Sequence, residues 1–149
     1  MSSIPTDPTM HTAEHLLNQT MIRMFGCERC FSAHINRKKS KCDYHFSREL
    51  RSEEIREIET RMNAVIKDHL PVTCQMISWE EACTQFNTAR VPETMRGKDL
   101  RIVAIGTYDA CPCIGEHATS TNELGAFCIT SASFENDVLR IRFKLNRPC

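Results

Sequence analysis

The stretch YDACPCIGEHATSTNELGAF, residues 108–127, decides how the rest of this chain has to fold. It places Cys111, Cys113 and His117 within seven positions, with Gly115 between the last two. A thiolate and an imidazole four residues apart can reach one soft or borderline metal ion, and zinc is the usual occupant of such a pair. Two donors do not complete a zinc site. The missing ones lie far upstream, in HTAEH at residues 11–15. There His11 and His15 stand at i and i+4, so a helix sends both rings from one face. His11, His15, Cys113 and His117 form a four-donor set drawn from opposite ends of the chain. The set exists only if the fold brings those ends together. Cys111 is a rival thiolate, and spacing leaves it open beside Cys113.

The elements around these motifs can be read outward. LRIVAIG at 100–106 is a buried strand that leads into the donor segment, and strands follow at 126–131 and 138–145. The last, VLRIRFKL, alternates cleanly. Upstream, Thr9 caps a helix from Met10 to Phe25 that stops at Gly26, a residue suited to a helix C-terminus. Ala13, Leu16, Leu17, Met21 and Met24 give this helix an apolar side that His11 and His15 share, so the two rings point inward. Ser52 caps a second helix, with Glu53 and Glu54 where the macrodipole favours acids. Ile55, Ile58, Met62, Val65 and Ile66 follow at helical spacing, and the helix ends before Pro71. Residues 31–36 and 41–46 read as strands joined by the basic turn Arg37, Lys38, Lys39, Ser40, Lys41. Residues 72–78 read as a strand, 79–87 as a short helix and 91–99 as a connection. The Cys27–Cys30 pair has ribbon or redox spacing but no partner pair, and reads as two thiols near a turn. The expected fold is α+β, one domain over 1–149, mainly antiparallel sheet packed with two long helices.

Composition narrows the function. The 149 residues are 41% apolar, enough for one domain with a real core. Formal net charge is zero, which argues against a grip on nucleic acid by bulk electrostatics and leaves only local clusters. Nine cysteines is an odd count in a chain long for a disulfide scaffold. No signal-peptide pattern opens the sequence and no apolar run is long enough to span a bilayer. The reading is a cytoplasmic protein with reduced thiols, some of them metal ligands.

These motifs together resemble a known family. HTAEHLLN, a distant C-x-x-x-H and a T-x-E-L-G stretch at 121–125 are similar to the editing domain of alanyl-tRNA synthetase, and most of all to the small free-standing AlaX-type trans-editing proteins. His11 and His15 match that family's H-x-x-x-H. Cys113 and His117 match the ends of its C-G-G-T-H, with Ile114 and Glu116 replacing a glycine and a threonine. Thr121, Glu123 and Gly125 match N-T-G-E-I-G. Threonyl-tRNA synthetase editing domains share both His/Cys motifs, but the segment after His117 is nearer the alanyl type. The resemblance implies a synthetase-editing-domain-like fold; as a departure from longer members of the family, neither the glycine-rich barrel that precedes this domain in them nor an aminoacylation domain is expected within residues 1–149. It implies zinc on His11, His15, Cys113 and His117, and hydrolysis of the ester that joins serine or glycine to alanine tRNA.

Thr12, Ser32, His34, Glu116 and Thr121 are the candidate catalytic or substrate-positioning groups. Rejecting alanine requires a hydrogen bond to the serine hydroxyl, which Ser32 or Thr12 would make. Arg37, Lys38, Lys39 and Lys41 are candidate contacts to RNA phosphates. Two other classes fit the same residues: a non-catalytic zinc-stabilised module that binds RNA or protein, and a metal hydrolase for another small ester or amide. Four protein ligands on tetrahedral zinc mark a structural site, so the catalytic reading needs a loose ligand or a fifth position.

Overall fold

The computed structural model describes residues 7–89 and 91–146, so most of the polar N-terminal lead lies outside the described residues. Helix α1 (Pro8–Phe25) begins two residues before the expected start. Its cap is Asp7 rather than Thr9: the Asp7 carboxylate accepts from the Met10 amide at 3.0 Å, and Thr9 donates its hydroxyl to the same carboxylate. Pro8 drives this shift, because proline is at home in the first helical turn, where its missing N–H has no partner to lose. Gly26 ends the helix at φ 68°, as expected.

Two hairpins supply most of the first sheet. Strands β1 (Ser32–His34) and β2 (Ser40–His45) flank the basic turn. Helix α2 (Ser52–Lys67) follows, and its cap also moves, by one residue, from Ser52 to Arg51. Ser52 is already helical, while the Glu54 carboxylate accepts from the Arg51 amide at 2.8 Å. Strand β3 (Val72–Ile77), helix α3 (Trp79–Gln85), β4 (Leu100–Ile105) and β5 (Asp109–Pro112) come next. β5 was not expected; it has four residues and ends on a proline. β6 (Ala126–Glu135) runs past its expected end and turns into β7 (Val138–Asn146) through Asn136 and Asp137, both at positive φ. Paired positive φ values suit a tight hairpin.

The strands form two antiparallel sheets, ordered β1-β2-β7-β6 and β3-β4-β5. Alternation along β2 and β7 splits the larger sheet into two chemically different faces. Cys42, Tyr44, Leu139, Ile141, Phe143 and Leu145 face inward and join Leu16, Leu17 and Met21 of α1 and Ile58, Met62 and Ile66 of α2 in one core. Lys41, Asp43, Arg140 and Arg142 take the outward alternates. Helix α1 lies along the inner face. Its first turn abuts the β1–β2 turn, where the Arg37 guanidinium stands 3.7 Å from Asp7. Its last turn meets the opposite end of the sheet, with Phe25 edge-on to Phe46.

The segment after His117 is tied to the end of α2. Thr121 is fully buried; its hydroxyl donates to the Ile66 carbonyl at 3.1 Å and accepts from the Leu70 amide at 2.9 Å. The Glu123 carboxylate accepts from the Thr119 and Ser120 amides. Gly125 sits at φ 73°, a conformation that favours glycine. The T-x-E-L-G stretch therefore closes a corner of the fold. Thr121→Val is expected to leave the Leu70 amide unpaired and to cost about 1–3 kcal/mol in urea unfolding. Bound zinc per chain should stay at the parental value in that variant.

Candidate metal centre

The fold brings together the two ends of the chain that carry the His and Cys motifs. One donor atom each from His11, His15, Cys113 and His117 lies within 4.8 Å of all the others. The His11 and His117 rings stack at 4.0 Å between centroids, and His15 stands edge-on to both. Cys113 Sγ is 3.5 Å from His11 Nε2 and 3.5 Å from His117 Nε2.

The second nitrogen of each ring is occupied elsewhere, and this fixes what the first can do. His11 Nδ1 lies 3.0 Å from the Glu116 carbonyl, which only accepts, so Nδ1 carries the proton and Nε2 keeps its lone pair. Thr12 donates its single hydroxyl proton to the Pro8 carbonyl at 2.9 Å and accepts from the Ala118 amide at 3.0 Å. Its remaining lone pair accepts from His117 Nδ1–H at 3.0 Å, which again frees Nε2. His15 Nδ1 stands 3.3 Å from Cys111 Sγ and 3.7 Å from Asp109 Oδ2, leaving Nε2 for the cluster. That Asp109 oxygen is buried with no hydrogen bond of its own among the described residues. Its twin Oδ1 accepts from Gln19 at 2.8 Å and from the Arg29 guanidinium. Outer-shell partners of this kind orient imidazole ligands and set their tautomers.

The electrostatics follow the same geometry. Burial alone would push the Cys113 thiol up, but the polar ring nitrogens of His11, His117 and His15 packed around it bring it down to about 3. Burial lowers His117, and His15 and His11 beside it add to this against the pull of Cys113, leaving it at about 4. His15 is raised well above its ordinary value: burial opposes this, but Cys111, Asp109 and Cys113 together outweigh it. Burial likewise works against the charge on Asp109, yet His15, Arg29 and Gln19 hold its carboxyl below the usual range. The donors are thus a thiolate, a neutral His117 and a His15 whose proton a divalent cation would displace.

These residues fit a zinc ion. The set is nitrogen and sulfur, and the loop is built around the rings. A Cβ on Gly115 would lie 2.4 Å from His11 Cε1, so only glycine lets the loop pass this close. Arg101 clamps that loop to β4, donating to the Cys113 carbonyl at 3.2 Å and the Gly115 carbonyl at 2.8 Å. His11 and His15 are buried, Cys113 and His117 are half-buried, and Ile114 and Glu116 are exposed, so the centre opens to solvent on the loop side.

The other sequence candidates fall in several places. Thr12 is at the centre, but its hydroxyl is fully used; it orients His117 and has nothing left for a substrate. Glu116 enters through its backbone carbonyl, with its side chain on the exposed rim. Ser32 and His34 are exposed on β1, in register with the outward residues Asp43 and Lys41 of β2, away from the core and the histidines. Thr121 belongs to the corner at the end of α2. Ser32 lies opposite Asp43 on the edge strand, and the Thr12 hydroxyl has its three partners in Pro8, His117 and Ala118. Arg37, Lys38 and Lys39 form the exposed hairpin tip, and Lys41 lies just inside β2.

Three residues at the centre escaped the sequence reading. Glu14 sits within HTAEH at i+3 from His11, and its Oε1 is 3.6 Å from His11 Nε2. Asp109 lies on the unexpected strand β5. Arg101 carries no local signal at all. Cys30 donates to Glu14 at 3.4 Å and clusters with Glu14 and Cys42, apart from the four donors. Cys27 is in no such group among the described residues. Replacing Cys27 and Cys30 with serine should therefore leave bound zinc per chain unchanged in metal analysis. Loss of the metal would move the site to the wrong side of Glu14.

Residues 100–141 match the family described as the threonyl and alanyl tRNA synthetase second additional domain. The alanine–tRNA ligase of Methylacidiphilum infernorum is 31% identical over 120 residues, 80% of this chain and 13% of the ligase. That of Treponema pallidum is 30% identical over 139 residues, 92% of this chain and 23% of the ligase. That of Methanopyrus kandleri is 29% identical over 136 residues, 89% of this chain and 15% of the ligase. The chain is alanyl-tRNA synthetase editing-domain-like, and it spans less than a quarter of the length of these curated relatives. Among the described residues no helix is long and apolar enough to cross a membrane.

Proposed function

We propose that this chain hydrolyses the ester between a wrongly attached serine or glycine and the terminal ribose of alanine tRNA, acting in the cytoplasm with a zinc ion on His11, His15, Cys113 and His117. The observation that carries this reading is the convergence of those four donor atoms within 4.8 Å on the solvent side of an alanyl-type domain. Zinc bound there would supply Lewis acidity toward a carbonyl or amine, with a net charge near +1 from three neutral imidazoles and one thiolate. The chain itself does the positioning. Thr12 and the Glu116 carbonyl hold two imidazoles in the tautomer that points Nε2 inward, and Asp109 and Cys111 orient the third. The exposed side chains of Ile114 and Glu116 form the rim that an aminoacyl end must cross. Arg37 stands 3.7 Å from Asp7 at the start of α1, and with Lys38, Lys39 and Lys41 of the same hairpin it would take RNA phosphates.

The test is deacylation of alanine tRNA charged with serine, glycine or alanine, with and without a chelator. Serine- and glycine-charged tRNA should be hydrolysed, alanine-charged tRNA spared, and the chelator should stop the reaction while the fold persists. A second reading, a zinc-stabilised binding module, has one observation in its favour: four protein donors close a tetrahedral site. It would be preferred if no charged tRNA is hydrolysed and the chelator unfolds the chain.

A further inference from the structure

We propose that the outward face of the four-stranded sheet is a second contact surface, one that takes the phosphate backbone of RNA; the inference rests on the tRNA reading above and extends it beyond the hairpin tip. Two neighbouring rows of side chains cross this face near the hairpin tip, and a third, His45, Val138, Glu135, follows at the far end. Of the neighbouring two, one is Ser32, Asp43, Arg140, Ser133; the other is His34, Lys41, Arg142, Ser131. In the first row the charges cancel, because Arg140 grips the Asp43 carboxylate with two bonds of 2.8 and 2.9 Å. In the second row they do not. Lys41 lies directly opposite Arg142, and among the described residues neither makes an ion pair. Like charges directly opposite on an antiparallel pair repel, so the sheet carries this pair at a cost to its own pairing. Lys144 follows on the same side of β7 and is exposed.

This surplus is not a by-product of composition, since acidic and basic residues balance at 19 each over the whole chain. It is local, and it is continuous with Arg37, Lys38 and Lys39 at the hairpin tip. The tip touches Asp7 at the start of α1, and the next turn of that helix carries His11. A polyanion laid along the face would therefore leave it at the mouth of the four-donor centre. At the other end of β2 the exposed Phe31 ring stacks on His45 at 4.1 Å and 16°. The neutral Asp43–Arg140 row separates this pair from Lys41 and Arg142, so it offers a stacking surface to a base further along the strand than the phosphate held by the basic row. Ser131 and Ser133 are small and exposed, which lets a backbone approach.

The test is equilibrium binding of an uncharged RNA hairpin shaped like a tRNA acceptor stem, over a range of salt concentrations. The full chain is compared with the double variant Lys41→Glu/Arg142→Glu. A charge-matched control, Lys67→Glu/Lys98→Glu, changes two exposed lysines away from this face. The double variant should bind at least tenfold more weakly. Its slope of log affinity against log salt should be shallower by about 1.4–1.8, since each phosphate contact contributes about 0.7–0.9. The control should follow the parent, and all three proteins should hold the same zinc per chain. Parental affinity and slope in the face variant would overturn the inference while leaving the deacylase reading intact. A parent that binds RNA through this face but hydrolyses no charged tRNA would sink only the deacylase reading. A parent that binds no RNA at any salt removes the face as well. Sedimentation showing a parental dimer that the double variant breaks, with RNA binding unchanged, would give the face to a second copy and overturn the proposal.

Discussion

Cys113→Ala should abolish tight zinc binding, whereas Cys111→Ala should weaken it and no more. The two thiols are two residues apart, yet they stand on different sides of the histidines. Cys113 Sγ faces Nε2 of both His11 and His117 at 3.5 Å, and its thiolate supplies the only negative charge in the four-donor set. Removing it leaves three neutral imidazoles around a doubly charged ion in a half-buried pocket. Cys111 Sγ faces His15 Nδ1, the far nitrogen, at 3.3 Å. Its loss loosens the orientation of one ring, a change worth about 10–100-fold in metal affinity. The Cys113 variant should lose more than that and, under the proposed deacylase reading, should leave serine-charged tRNA intact. Zinc competition against a chromophoric chelator measures both affinities. Cobalt substitution reads the ligand directly, because a cobalt–thiolate charge-transfer band should survive in Cys111→Ala and vanish in Cys113→Ala. The reverse pattern would assign the site to the wrong thiol.

Gly115→Ala should also strike the centre, although glycine offers no donor. The added methyl would lie 2.4 Å from His11 Cε1 and 2.8 Å from its Nδ1. Something has to move. The loop cannot simply retreat, because Arg101 holds the carbonyls on both sides of Ile114 to β4. The ring therefore swings, breaking its bond to the Glu116 carbonyl and carrying Nε2 out of register. Zinc affinity should fall by about 10–100-fold, the scale seen when the support of a ligand is lost. The metal-free protein should lose about 1–3 kcal/mol from overpacking. The two effects separate in thermal melts with and without zinc. Each tenfold loss of affinity removes about 1.4 kcal/mol of the stabilisation that saturating metal confers. An alanine variant with parental zinc affinity would mean that the close approach of loop and ring is not needed to hold the metal.

Much of this protein is local and was legible without a structure. The i, i+4 pairs His11–His15 and Cys113–His117 state their geometry in their spacing, because a helix or a tight loop leaves few ways to place four residues. The stripe of α2 and the alternation of VLRIRFKL do the same through periodicity. Caps moved by only one or two residues, and the cause at α1 is the fixed φ of Pro8. What periodicity could not supply is anything decided between distant segments. Cys111 and Cys113 at i, i+2 share one side of the segment and both reach His15, but only Cys113 also reaches Nε2 of His11 and of His117. Thr12 reads as a free hydroxyl in sequence and is saturated in the fold, since two of its three partners come from residues 117 and 118. Thr121 matches a family motif as if it belonged to the centre, yet it ties down the end of α2. Strand alternation assigned Ser32 and His34 to one face without saying which face held the core. Donor identity follows from residue type and spacing. Which lone pair is left free to face a metal depends on hydrogen bonds between atoms about a hundred residues apart, and only the packing of α1 against the 113–117 loop sets those.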